Sequence, residues 1–214
     1  MKRHTSQPPH ALSALALAAA LVLAGCGQSG TGDAASGSAD SSAAETAAPD
    51  SAAANHNDAD TIFAQMMIPH HQQAVEMSNM MLAKDGLSPE IVDLASGIKD
   101  AQGPEIETMT RWLESWGEPA EPADGMQGHQ HTGSVDTMEG MLSEEQLSRL
   151  KEARGADASR MFLESMTAHH EGAVSMARDE LEGGRNPEAL ELAGTVISTQ
   201  QAEITEMGKL LAAL

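Results

Sequence analysis

Apolar side chains recur every three or four positions along four separate stretches of the chain. On the first stretch Phe63, Met67, His70, Ala74, Met77 and Met81 fall within roughly 40° of one line at 100° per residue, with Met66 and His71 flanking. Phe162, Met166, His169, Ala173 and Met176 trace the same line on a second stretch, with His170 at its margin as His71 is on the first. Leu94, Ile98, Ile106, Met109 and Leu113 mark a third, and Leu192, Val196, Ile204, Met207 and Leu211 a fourth. The period is helical throughout, and no window alternates β-branched with polar residues, so four helices and no sheet are predicted.

The four stretches are one pattern written twice. At an offset of 99, Phe63, Met67, His70, His71, Ala74, Val75 and Met77 meet Phe162, Met166, His169, His170, Ala173, Val174 and Met176. After one deletion, Gln102, Glu105, Ile106 and Met109 meet Gln200, Glu203, Ile204 and Met207. Two tandem helical hairpins make a four-helix bundle, expected over residues 58–214, with repeat one at 58–117, a linker at 118–155 and repeat two at 156–214. Ser88 and Asn186 are predicted N-caps, each followed by proline at the first helical position, and Gly86, Gly117, Gly183 and Gly184 are stop signals. Pro69 and Pro104 break the rule for helix interiors. Their repeat partners are Ala168 and Ala202, so the helices are expected to run through both prolines with a kink. "SEEQ" at 143–146 is a capping box that opens a short helix before repeat two.

Composition changes the picture at the amino terminus. Lys2 and Arg3 precede an Ala- and Leu-rich run ending in "LAGC", which reads as a secretory leader over residues 1–25 closed by a lipobox. Cys26, the one cysteine of the chain, would be acylated and become the first mature residue. Residues 26–57, rich in Gly, Ser, Ala and Asp, read as a disordered tether, His56 included. The chain is therefore expected outside the cytoplasm, held to the membrane by lipid. Its net charge of −20 becomes −22 once Lys2 and Arg3 leave with the leader, which excludes a basic nucleic-acid footprint. Four aromatic residues, Phe63, Phe162, Trp112 and Trp116, offer no stacking platform for sugars or bases.

Fourteen methionines and two His-His pairs on core faces are the chemical anomaly. A polar ring on a core face costs on the order of 1–3 kcal/mol unless it has a partner. Met67 stands three residues before His70 and four before His71, and Met166 stands likewise before His169 and His170, so sulfur and imidazole share adjacent turns. Di-iron bundles carry Glu-x-x-His where this chain carries Met-x-x-His, and thioether with imidazole suits Cu(I) or Ag(I) better than iron or manganese. Met67, His70, Met166 and His169 are the expected primary ligands and His71 and His170 additional or supporting ones. Met77, Met109, Met176 and Met207 supply further sulfur along the stripes. Met126, His129, His131, Met138 and Met141 form a second, linker-borne group of candidates. Against this stand plain readings: methionine as flexible core filler, and histidines bonded to Gln102 or Glu105.

The "MMIPHHQQAVEM" and "SMTAHHEGAVSM" blocks and the "Q-x-x-EI-x-x-M" endings resemble the bacterial domain of unknown function 305 family over residues 58–214. That resemblance implies a ferritin-like fold and, from Met- and His-rich members, an extracytoplasmic copper-binding role. Met67, His70, His71, Met109, Met166, His169, His170 and Met207 match its pattern, and Ala168 departs from the proline of the first repeat. The expectation is a metal-sequestering or metal-delivering protein, with an envelope protein as candidate transfer partner, and not an enzyme. Two alternatives stay open: a ferritin-like oxidoreductase, for which Glu105 and Glu203 are the symmetric carboxylates, and an envelope interaction module.

Overall fold

The computed structural model describes residues 55–121 and 138–214. Cys26, the expected leader over residues 1–25, residues 26–54 and the candidates Met126, His129 and His131 lie outside the described residues. Five helices occur in order: α1 (Asp58–Leu82), α2 (Pro89–Trp116), α3 (Glu144–Glu152), α4 (Gly155–Gly183) and α5 (Pro187–Ala213). Among the described residues there is no strand and no helix long and apolar enough to cross a membrane.

Local chemistry places the ends. Asn186 accepts from the amides of Glu188 and Ala189, and Ser143 with Gln146 forms the expected reciprocal box at the start of α3. Ser88 occupies the N-cap of α2 but bonds no backbone amide, so Pro89 at the first turn carries that boundary. Gly117 ends α2 at φ 75°, a left-handed cap that glycine adopts without Cβ strain. α1 and α2 run unbroken through Pro69 and Pro104. The sequence reading overlooked Asn57, whose side chain accepts from Ala59 and Asp60 amides while Asp60 accepts from the Asn57 amide.

α1 packs on α2 and α4 on α5, and the hairpins join chiefly along α1 and α4. Two apolar clusters form the core. One gathers Ala74, Met77 and Met81 of α1 with Phe162, Leu163 and Met166 of α4 and Met207 of α5. The other gathers Phe63, Met67 and Ile68 of α1 with Ala173 and Ala177 of α4 and Met109 of α2. Residues that follow His71 on α1 meet residues that precede His169 on α4, and the reverse holds in the second cluster. The two helices are thus antiparallel, with both His-His pairs at the level between the clusters.

Candidate metal centre

The helical repeat brings His70 and His169 face to face at the middle of the bundle. Their rings lie 3.7 Å apart, centroid to centroid, inclined by 39°. The helical stripes place His71 and His170 at the margin of the core, but all four histidines are buried, at 0% exposure for His70, His71 and His170 and 1% for His169. The reason is that α2 and α5 cover the flank of the stripe. Each supplies a carboxylate there: His71 Nε2 donates to Glu105 at 2.7 Å, and His170 Nε2 donates to Glu203 at 2.7 Å. The equal distances repeat the internal symmetry of the sequence.

Those bonds orient both rings. With Nε2 bonded to a carboxylate, Nδ1 is the remaining ring nitrogen of His71 and of His170, and each is buried without a protein partner. His70 Nε2 faces the Glu139 carbonyl at 3.3 Å, which leaves His70 Nδ1 in the same condition, and His169 presents an unpartnered Nε2. Gln102 and Gln200, one turn before the two glutamates, each keep a buried side-chain oxygen unpartnered as well. Burial, reinforced by nearby His71, pushes His70 down to about 3. Burial and the neighbouring His70 hold His169 well below the usual histidine range. Both are neutral at pH 7, so this pair offers lone pairs and not positive charge.

Sulfur flanks this layer on both sides. Met77, Met166 and Met207 belong to one apolar cluster, and Met67 and Met109 to the other, with half-buried Met176 packed against it. Each side therefore combines methionines of both hairpins, Met81 joining the first cluster as well. The Met207 sulfur also accepts from the Thr167 hydroxyl at 3.7 Å. Met138 is buried and Met141 half-buried in the segment ahead of α3. Among the described residues no group of three or more His, Cys, Asp or Glu side chains is arranged to hold an ion.

Sequence reasoning missed two features near this centre. Asp60, fully buried, accepts from the amides of Arg185 at 2.9 Å and Asn186 at 2.8 Å, tying the start of α1 to the turn between α4 and α5. Residues 138–142 pack on the histidines, as described below. The spacing Asn57-x-x-Asp60 was a readable cap, but its long-range partners were not.

The family model for "Domain of unknown function (DUF305)" matches residues 60–211. The chain belongs to the DUF305 family. A DUF305 fragment from Deinococcus radiodurans is 30% identical, covers 74% of this chain and 98% of its own, and superposes with a TM-score of 0.63. A secreted DUF305 protein from Streptomyces coelicolor is 32% identical over 72% of this chain and 91% of its own, with a TM-score of 0.63. CopM in its Cu(II)-bound form is 31% identical over 72% and 96%, with a TM-score of 0.58, and CopM has also been solved with Cu(I) and with silver. No functionally curated protein matches the chain. The DUF305 match spans both hairpins and therefore all ten sulfur and imidazole candidates of the bundle.

Proposed function

We propose that this DUF305 protein binds Cu(I), and Ag(I) as its mimic, in the histidine and thioether layer of the bundle, and that it sequesters or hands over the ion without catalysing a reaction. The observation that carries the reading is the set of four buried imidazole nitrogens without a hydrogen-bond partner. Each is a polar atom left without a partner at a cost on the order of 1–3 kcal/mol, and a soft cation would satisfy it. His70, His71, His169 and His170 would be the nitrogen donors, and Met67, Met166, Met109, Met207, Met77 and Met176 the sulfurs on either side. Because His, Cys, Asp and Glu alone supply no threefold group, a metal held here draws on methionine, which favours a monovalent soft ion over iron or manganese. The silver- and copper-bound forms of CopM support the same choice. The leader and lipobox add that the protein works outside the cytoplasm, anchored through Cys26, and Cys26→Ser should leave unacylated, uncleaved precursor. Against an oxidoreductase weighs the engagement of Glu105 and Glu203, each holding a histidine.

The test is a Cu(I) competition titration against a chromogenic chelator. Met67→Leu with Met166→Leu keeps core volume and should cost below about 1.5 kcal/mol of stability per site, yet it should weaken Cu(I) binding. His70→Ala with His169→Ala should weaken it further. Wild-type affinity in both double variants would reduce the layer to core packing.

A further inference from the structure

Residues 138–142 form a strap that re-enters the bundle between α1 and α4. The Glu139 carbonyl accepts from His70 Nε2 at 3.3 Å. Gly140, at φ 82°, presses its backbone on α4 so closely that a Cβ would overlap the Ala168 carbonyl and lie 2.8 Å from His169 Cα. On α4, a Cβ at Gly172 would overlap the Glu139 carbonyl and lie 3.3 Å from His70 Nε2. The Gln73 side chain grips Leu142 at both ends, donating to its carbonyl at 2.9 Å and accepting from its amide at 2.7 Å. Met138 and Leu142 are buried by this contact.

Gln73 and Gly172 occupy the same position of the two repeats, 99 residues apart. One strap cannot obey a twofold relation, and the two copies of this position have diverged accordingly: glutamine makes the clasp and glycine makes the seat. The strap latches His70, whereas its counterpart His169 keeps Nε2 free. Both rings are buried with the strap in place.

We propose that residues 138–142 are a gate, and that ions reach and leave the His70–His169 pair when the Gln73–Leu142 clasp and the His70–Glu139 contact release. The proposal rests on the metal-binding reading for its cargo, but the gate itself is open to test without metal. In the metal-free, full mature protein, diethylpyrocarbonate acylation of His70 and His169, followed by mass spectrometry, reads access directly. Gln73→Leu removes both clasp bonds, and Gly172→Ala unseats the strap. Each should raise acylation of this pair roughly tenfold or more, with the helical circular-dichroism signal retained and the Leu142 amide exchanging faster. Ag(I) uptake, and its release to thiosulfate, should accelerate in parallel. Equal acylation rates in wild type and both variants would overturn the gate, as would acceleration at every histidine accompanied by loss of helix. If no form retains Ag(I), the metal reading fails while acylation still decides the gate.

Discussion

At the residue scale, four histidines in one layer do two different jobs. His71 and His170 are oriented by carboxylates, the arrangement that fixes a metal-ligating imidazole and raises its basicity. Replacing Glu105 and Glu203 by glutamine keeps the shape but removes the charge behind each ring, so Cu(I) affinity in the competition titration should fall by about tenfold or more with helicity unchanged. His70 and His169 are instead held neutral by burial. Protons compete with a metal only where a donor would otherwise be protonated, and His70 stays unprotonated down to about pH 3. Cu(I) affinity should therefore change only modestly between pH 7 and pH 6. A drop of about threefold for each histidine over that interval, as an ordinary imidazole titrating near 6.5 would give, would show that the pair opens to water.

At the element scale, the two hairpins are fastened at sites that no periodicity announces. Asp60 serves as the acceptor for Arg185 and Asn186 amides 125 and 126 residues away, and Asn57 reaches the Gly183 carbonyl at 2.9 Å. Burial pushes the Asp60 carboxyl up, but bonds from Asn186, Glu180, Arg185 and Asn57 outweigh it and hold the group below its usual range. Asp60→Ala would leave those amides buried and unpaired, so urea denaturation should show a loss of about 3 kcal/mol or more. The contrast with the stripes is instructive. Met67, His70, Met166 and His169 were legible because 100° per residue projects them onto one face, and a face must be buried. Pro69 and Pro104 were legible inside helices because the repeat supplied alanine counterparts. Asp60, Gln73 and Gly172 act through backbone groups far along the chain, and nothing in local spacing distinguishes a clasp from an ordinary polar position. His71 and His170 were misplaced at the margin because a single helix wheel carries no information about which neighbour covers its flank.

At the scale of the whole molecule, the buried titratable groups give the metal-free fold a pH optimum. Glu180 lies beside Asp60 at 2% exposure, and burial with that neighbour pushes its carboxyl from 4.5 up to about 9. Above pH 4.5 the unfolded chain gives up this proton while the fold keeps it, so the Glu180 contribution, complete below 4.5, drains away as pH rises towards 9, at about 1.4 kcal/mol per unit. The buried histidines act in the opposite direction. Below 6.5 the unfolded chain takes up protons that folded His70 refuses until about 3 and that His169 refuses well below its normal range, so stability present above 6.5 is lost as pH falls. Two histidines outweigh one carboxyl on the acid side, and the carboxyl acts alone on the alkaline side, which places the maximum these groups impose near pH 6.5. Self-repulsion of a chain with 32 acidic residues changes little above pH 7 and is common to wild type and Glu180→Gln, so it cancels between them. Urea titrations from pH 5 to 9 on metal-free protein should show the wild-type curve falling more steeply above pH 7 than that of Glu180→Gln, while His70→Leu with His169→Leu should flatten the acid limb only. Parallel curves for wild type and Glu180→Gln across pH 7 to 9 would mean that Glu180 is ionised in the fold. Cu(I) should raise the curve without steepening it between pH 5 and 6.5, because an ion held by neutral imidazoles adds its binding free energy to the folded side and His70 takes up no competing proton until about pH 3.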